Sequence, residues 1–278
     1  MDMRIFASDV FGSDVESIED FLIRIEKIKK EFSNKENCEG KRLNFQFFYR
    51  GDRFCMPTQS NLFRHKLLSK EHQLFEEWQE NCDARKEGKC KGNYCGKLMC
   101  LAQMQHYKAN TRLLDFTEDP LVALRFACGR EGENCRKKVT VYCTEQIDLR
   151  QNSEEKDNII EDTMIGLVTS QFPPAEGKDI LSKDIFIRVD QDFGRIVRQK
   201  GLFLFMGNHY HDDEKKSRYI QEKKIAHELS STNGRGKLYP GYVGVLTIAK
   251  SAVEQIRAEL EENEKYAEYK MKYLMDQA

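Results

Sequence analysis

Several features are scarce in this chain of 278 residues, and each shortage argues against a class of protein. The formal net charge is only -1, so there is no overall basic field of the kind that draws a protein to nucleic acid. The longest apolar runs, such as Leu202 to Met206, are far shorter than a membrane span, and the N-terminus lacks the apolar core of a signal peptide. We therefore expect no contact with a membrane, while a local basic groove stays open as an alternative.

Closely paired cysteines are missing as well. The nine cysteines are odd in number and scattered, a pattern typical of free thiols in a reducing compartment. Cys82, Cys90, Cys95 and Cys100 lie in or just beyond a stretch rich in Lys and Gly, but none of them forms the Cys-x-x-Cys spacing of a zinc site. An exposed loop with incidental thiols is therefore favoured over a thiolate zinc site. We expect a cytoplasmic protein with no bound metal.

The chain does contain enough apolar and aromatic residues for a substantial core. Hydrophobic residues make up 40%, with 17 Phe and 11 Tyr. Helical and strand patterns follow one another without strict alternation, which favours an α+β fold over a doubly wound α/β fold. We predict a mixed central sheet of short strands flanked by helices, in one domain over residues 1–278. Its motif-bearing core spans about residues 43–260, and a first helix (17–32) and a long C-terminal helix (252–274) pack on it.

The other elements are predicted from the period of their apolar residues. Helical spacing predicts two more helices, at Leu67–Trp78 and Leu98–Tyr107, and Ser17 with Asp20 resembles a capping box at the start of the first helix. Alternating or β-branched segments predict strands or extended segments, and these are Leu43–Tyr49, Thr111–Thr117, Lys138–Cys143, Ile165–Thr169, Ile185–Val189, Leu202–Met206 and Tyr242–Ile248.

Polar side chains are concentrated between Gln103 and Gly129, among apolar residues at changing periods. Glu118-Asp119-Pro120 resembles a helix start, because acids favour the positive end of the helix dipole and Pro favours the first turn. Thr117, just before it, is predicted as the N-cap. Arg112 and Asp115 are three apart on an extended segment, so their side chains point to opposite faces. Arg112 is then either a ligand group or a buried brace that donates hydrogen bonds to loop carbonyls.

A second charged group follows an aromatic run, in Phe48-Tyr49-Arg50-Gly51. We predict that the strand delivers Arg50 to its end and that Gly51 lets the backbone turn sharply. A guanidinium there has the geometry to grip a phosphate or carboxylate through two hydrogen bonds, with close backbone approach from the glycine. The alternative is a structural ion pair with Asp52. His106 is a candidate acid or base, or else a structural group at a helix end.

Taken in order, these segments resemble the FRG domain family. The resemblance rests on Phe48-Tyr49-Arg50-Gly51, on Gln105-His106-Tyr107, on the run from Thr111 to Ala127, and on Gln199-Lys200-Gly201-Leu202-Phe203. It covers roughly Gln46 to Leu260. Two differences concern turn geometry: Phe116 stands where Trp is usual, and Lys108-Ala109-Asn110 where a Gly-x-Pro turn is common.

The same arrangement is distantly similar to ADP-ribosyltransferases, and that resemblance implies individual roles. Arg50 would bind the pyrophosphate or ribose of NAD, and Phe116 and Thr117 would lie on the strand that lines the nicotinamide pocket. Gln199 would occupy the place of the catalytic Glu. A neutral amide stabilises a developing sugar cation less well than a carboxylate does, so Asp115 or the nearby Glu118 would supply the negative charge.

Two functions are consistent with these patterns. One is an NAD-dependent ADP-ribosyltransferase-like enzyme acting on protein or nucleic acid, such as a bacterial toxin or phage-defence effector. The other is a non-catalytic module that binds a nucleotide or a partner in the same cleft. A nucleotide-like small molecule is the expected ligand in both, and the macromolecular target stays open. The candidate catalytic residues are Arg50, Asp115 and Gln199, and the candidate ligand-binding residues are Gly51, Gln105, His106, Arg112, Phe116 and Thr117.

Overall fold

The computed structural model describes residues 13–33, 45–53, 58, 60–81, 97–129, 135–144, 185–188, 194–206 and 241–275. Its helices are α1 (Ile18–Ser33), α2 (Asn61–Arg64), α3 (Glu71–Asn81), α4 (Lys97–His106), α5 (Pro120–Cys128), α6 (Gly194–Arg198), α7 (Val253–Glu262) and α8 (Met271–Met275). Two 3-10 helices lie at Leu68–Lys70 and Glu264–Tyr269. The strands are β1 (Gln46–Arg53), β2 (Leu113–Thr117), β3 (Lys137–Thr144), β4 (Ile185–Ile187), β5 (Gly201–Phe205) and β6 (Gly241–Ile248).

The strands form one six-stranded sheet in the order β4-β5-β2-β1-β3-β6. The α+β fold is therefore confirmed, but the prediction of a mixed sheet is wrong, because every adjoining pair of these strands is antiparallel. The reason lies in one connection. β2 leads through α5 to β3, and a strand–helix–strand connection suggests two parallel neighbours. β2 and β3 do run in the same direction, but β1 lies between them and pairs antiparallel with both.

Side chains alternate across the sheet, and the buried clusters show which face each residue occupies. Phe48 of β1 lies in an aromatic cluster with Leu114 and Phe116 of β2. Tyr49, the next residue along β1, packs on the other face, in the cluster that contains residues of α1, α5 and α7. We call these the aromatic face and the helical face. By alternation, Arg50 belongs to the aromatic face and Asp115 to the helical face.

The helical face is covered in two separate parts. Over β1, β3 and β6 it is covered by α1, α5 and α7. The helical spacing of α1 buries Ile18, Phe21, Ile25, Ile28 and Phe32 there, and each such side chain contributes about 1.5–3 kcal/mol. The predicted cap of this helix is confirmed, since the Asp20 backbone N–H donates to Ser17 Oγ at 3.1 Å.

Over β2 and β5 the helical face is covered by α3 and α4. Phe75 of α3 and Leu101 of α4 are buried in one cluster with Leu113 of β2 and Phe203 of β5. This cluster is distinct from the one beneath α1, α5 and α7. Asp115 therefore lies on the stretch of the helical face between two covering layers.

The predicted C-terminal helix is not continuous. α7 ends at Glu262, Asn263 is extended with φ -77° and ψ 121°, and its side chain accepts the Lys265 N–H at the start of the following 3-10 helix. The break has a packing reason. Continuing the α-helical phase past Leu260 would turn inward positions held by polar residues, whereas the break allows Tyr266 to be buried.

Other predictions differ in extent or lie outside the described residues. The helix predicted from Leu67 begins as a 3-10 turn and becomes α-helical at Glu71. The predicted strand at residues 165–169 and the cysteine-bearing stretch at residues 82–96 lie outside the described part of the chain. None of the helices described is long and apolar enough to cross a membrane.

Candidate functional site

Gly51 is required by the packing of helix α5 on strand β1. A Cβ built on Gly51 would lie 1.9 Å from the carbonyl O of Ala123 and 2.5 Å from the backbone N of Ala127. The strand continues through Gly51 to Arg53, so the predicted sharp turn at this residue is wrong. The structure thus places Gly51 beneath a helix, where only a residue without a side chain fits.

The sheet splits beside Gly51, between β1 and β2. These strands pair at a single position, Tyr49 with Thr117. Continuing that register would place Gly51 opposite Asp115, but no ladder pairing forms there. Instead, Arg50 Nη1 donates to the carbonyl O of Asp115 at 2.7 Å. Arg50 therefore satisfies a strand carbonyl that the split leaves without its usual neighbour.

The guanidinium of Arg50 is held on its own strand by Asp52. Arg50 Nε donates to Asp52 Oδ2 at 2.8 Å and Nη2 donates to Asp52 Oδ1 at 3.1 Å, which is a two-point contact. Burial alone would lower the pKa of Arg50, but the carboxylates of Asp52 and Asp115 outweigh it, so the pKa lies above its ordinary value. The ion pair with Asp52, which the sequence offered as the alternative, is thus present, and it uses the Nε and Nη2 donors of Arg50.

Asp115 is the exposed residue of a strand that is otherwise buried. Strand β2 lies inside the sheet, between β5 and β1, and its other four residues are buried. The Asp115 carboxylate accepts from Gln105 Nε2 at 2.8 Å, and Gln105 Oε1 in turn accepts from the Thr111 hydroxyl at 2.6 Å. Because Asp115 is exposed on a central strand, this part of the helical face is open to solvent. The structure brings the side chains of Gln105 and Asp115 together on the helical face, and Arg50 reaches the Asp115 carbonyl O from the aromatic face.

Arg112 lies in the core, 1% exposed, and is a brace. Its guanidinium forms a two-point ion pair with the buried Glu71 of α3, with Nε–Oε1 at 2.6 Å and a second contact between Nη2 and Oε2. Nη1 donates to the carbonyl O of Met206 at 3.1 Å. The guanidinium carbon lies 4.8 Å from the ring centroid of Phe205. This is the internal role that the sequence offered as the alternative to ligand contact.

Thr117 is not the N-cap of α5. The cap is Asp119, directly before Pro120, and its Oδ1 accepts from the Leu121 N–H at 2.9 Å. Because Pro occupies the first helical position, the residue next to it has to be the cap. Thr117 instead accepts from the Asp119 N–H at 3.0 Å and donates its hydroxyl proton to the carbonyl O of Gln199 at 2.6 Å.

Gln199 is held by the C-terminal segment. Its Nε2 donates to the carbonyl O of Leu274 at 2.8 Å. Nearby, Asp119 Oδ2 accepts from Lys200 Nζ at 2.7 Å and from the Tyr269 hydroxyl at 3.2 Å. These contacts lie on the side of the sheet covered by α5, whereas Arg50 points to the aromatic face. The structure therefore does not bring the side chain of Gln199 to the Arg50 guanidinium.

The remaining candidates make other contacts. Phe116 is buried on the aromatic face, in edge-to-face contact with Tyr142 and Phe186. His106 is at the end of α4, with its ring against Tyr107 at a centroid distance of 5.2 Å. Glu118, the second acid considered, forms an ion pair with Arg188.

Neither Glu71 nor Thr111 was among the site residues predicted from the sequence. Glu71 is 41 residues before its partner Arg112, and no local pattern connects them. Thr111 did carry a signal, because a polar residue beside the buried start of a strand has to satisfy its hydroxyl within the protein. In the part of the chain that the structure describes, no group of three His, Cys, Asp or Glu could hold a metal ion.

Two described cysteines are buried thiols and two are partly exposed. Burial raises the pKa of the Cys128 thiol to about 12, and Cys143 is buried in the same cluster. We expect iodoacetamide at about pH 8 to alkylate Cys135 in the native protein and to spare Cys128, because the thiolate is the reactive form. Peptide mapping by mass spectrometry, with a urea-unfolded sample as control, measures both. Equal labelling of the two in the native protein would contradict the burial described here.

The class is an α+β domain in which an Arg-Gly strand is packed under a helix and joined to an Asp-bearing central strand. Residues 45–135 are an FRG domain, as the family model of that description matches this stretch. The stretch includes Arg50, Gln105 and Asp115, and the Gln199 motif lies outside it. No curated protein and no solved structure matches the chain.

Proposed function

We propose that the FRG domain binds a nucleotide-like ligand at the split between β1 and β2, with NAD as the candidate. The observation that carries this proposal is the exposed carboxylate of Asp115 on a central, otherwise buried strand. An acid at such a position is costly to the fold unless it is used, since a β-branched or aromatic residue would suit the strand better. Arg50 holds the carbonyl of Asp115 in place, and Gln105 holds its carboxylate.

The chemistry of the site favours recognition of sugar hydroxyls. The Nε and Nη2 donors of Arg50 are already bound to Asp52. A phosphate would therefore have to displace the Asp52 carboxylate to accept two hydrogen bonds from this side of the guanidinium. The carboxylate of Asp115 accepts from Gln105 through Oδ2 only, and it is exposed. A carboxylate with one oxygen available is a good acceptor for a ribose hydroxyl, as in other nucleotide sites. Arg50, on the opposite aromatic face, fixes the strand on which Asp115 lies by donating to the Asp115 carbonyl O.

A second candidate function is ADP-ribosyl transfer from NAD to a protein or nucleic acid. In this case Asp115, and not Gln199, would supply the negative charge that stabilises an oxocarbenium-like sugar. Two observations favour this assignment over the one implied by resemblance. The carboxylate of Asp115 is exposed, and the amide of Gln199 is bonded to Leu274.

Ligand binding is tested by thermal unfolding in NAD. Because a ligand specific to the folded state stabilises it, we expect the midpoint to rise by about 5 °C once NAD exceeds its dissociation constant about a hundredfold. Asp115→Asn keeps the size of the side chain and removes the charge, so we expect it to abolish the shift. Glu262→Gln, an exposed acid of α7, is the matched control and should keep it. A wild-type midpoint that does not move in millimolar NAD would contradict the choice of ligand.

Incubation with labelled NAD and a cell extract separates the two candidate functions. Nicotinamide release or transfer of label to a macromolecule means an enzyme, and binding without turnover means a module. If turnover occurs and Asp115→Asn retains it fully, Asp115 has no catalytic role.

We also propose that the protein works in the reducing environment of the cytoplasm. The support is chemical. Cys128 and Cys135 are free thiols, and free thiols persist where disulfides are kept reduced.

A further inference from the structure

Asp115 is held by a chain of hydrogen bonds that begins at a buried backbone group. The Leu113 N–H donates to Thr111 Oγ1 at 3.2 Å. The Thr111 hydroxyl donates to Gln105 Oε1 at 2.6 Å, and Gln105 Nε2 donates to Asp115 Oδ2 at 2.8 Å. Thr111 is 1% exposed, whereas Asp115 is exposed, so the chain runs from the interior to the surface.

The direction of this chain is forced by the chemistry of its members. A backbone N–H can only donate, so Thr111 Oγ1 accepts at that end and its single proton is directed to Gln105. A carboxamide that accepts at its oxygen presents its NH₂ on the other side. With the amide reversed, its oxygen would face the carboxylate of Asp115, and two acceptors would repel each other. The carboxylate thus selects the orientation of Gln105, and Thr111 stabilises that orientation by donating its proton to Gln105 Oε1.

We propose that Thr111 is the positioning residue of the ligand site, acting on Asp115 through Gln105. This proposal rests on the nucleotide-binding function proposed above and deepens it. An exposed Asp samples several rotamers and is bonded by water, so it presents no fixed acceptor. The chain fixes Oδ2 and leaves Oδ1, which bonds to no donor in the described part of the protein, directed at the ligand. A pair of neighbouring hydroxyls, as on ribose, is the chemical class that such a fixed acceptor recognises.

The test compares two substitutions that differ only in the hydroxyl. Thr111→Val keeps the shape of the side chain and cannot donate, whereas Thr111→Ser keeps the donor. Measured by isothermal titration with NAD, we expect Thr111→Val to weaken binding about tenfold and Thr111→Ser to bind within about twofold of wild type. Thr247→Val is the matched control, because Thr247, on the edge strand β6, likewise donates its hydroxyl proton to a side-chain oxygen, in its case the carboxylate of Asp14. It should leave NAD affinity unchanged.

A second readout does not depend on the ligand. The side-chain NH₂ resonances of Gln105, assigned by their loss in Gln105→Met, report the bond to Asp115 in nuclear magnetic resonance spectra. We expect Thr111→Val and Asp115→Asn to shift them and Thr111→Ser to leave them in place. If wild type binds no NAD, the nucleotide proposal fails and these resonances still decide on the chain. Unchanged resonances in Thr111→Val, or NAD binding by Thr111→Val as tight as that of wild type, would overturn the role of Thr111.

Discussion

Arg112→Met will lower the free energy of unfolding by about 3–5 kcal/mol, because it leaves the carboxylate of Glu71 buried without its partner. Both residues are inside the protein, with Arg112 1% and Glu71 5% exposed. A buried charge that keeps its counter-ion is tolerated, but a buried charge that loses it bears the full cost of removal from water. The carbonyl O of Met206 loses its hydrogen bond in the same step.

Urea unfolding followed by circular dichroism measures this loss, and the double variant is the decisive control. Arg112→Met with Glu71→Leu removes both charges at once, so we expect it to recover most of the stability. Glu71→Leu alone should be as damaging as Arg112→Met alone. If the double variant were no more stable than either single one, packing of the Arg112 side chain against Phe205, and not charge pairing, would be its main contribution.

Gly51→Ala is the second substitution with a large expected effect. The added methyl group would lie within 1.9 Å of a helix carbonyl, and the obstacle is backbone, so no side chain can rotate out of its way. Helix α5 and strand β1 have to separate, which loosens the cluster beneath α1, α5 and α7. We expect a loss of at least about 3 kcal/mol, the upper end for overpacking, or failure to fold.

The matched control for this prediction is Gly201→Ala in strand β5. There the new methyl group would lie 3.2 Å from a side-chain methyl of Ile196 and 3.3 Å from its carbonyl O, so a shift of a few tenths of an ångström relieves the contact. The loss measured by urea unfolding should be several-fold smaller. Equal stability of Gly51→Ala and wild type would show that α5 does not approach β1 as closely as described.

Local patterns in the sequence were sufficient to predict most of the helices and strands. The period of Phe21, Ile25 and Ile28 predicts both α1 and its buried face, and Glu118-Asp119-Pro120 marks the start of α5 within a residue or two. These features depend on neighbours within one or two turns, so the sequence alone carries them. The break at Asn263 is the exception, because it depends on which residues the core has to receive at Tyr266.

Long-range contacts were outside what the sequence could supply. The residue type of Gly51 is compatible with a turn or with close packing, and only the position of α5 decides between them. Arg112 and Gln199 are polar residues within motifs and so were candidates for ligand contact, but their partners Glu71 and Leu274 lie 41 and 75 residues away. Asp115 is a different case from Arg112 and Gln199, because its exposure on a central strand can be recognised only once the order of the strands in the sheet is known.

The two rims of the sheet carry a consequence for self-association. An open strand edge offers its amides and carbonyls to any other chain, and this is a common route to aggregation. In the described part of the molecule one rim is β4, which is only three residues long. At the other rim the segment before α1 covers β6, with the Val15 N–H bonded to the Thr247 carbonyl at 2.6 Å and the Ala249 N–H bonded to the Val15 carbonyl at 3.1 Å. Val15 therefore protects the edge of β6, because it occupies hydrogen-bonding positions that a strand from another molecule would need.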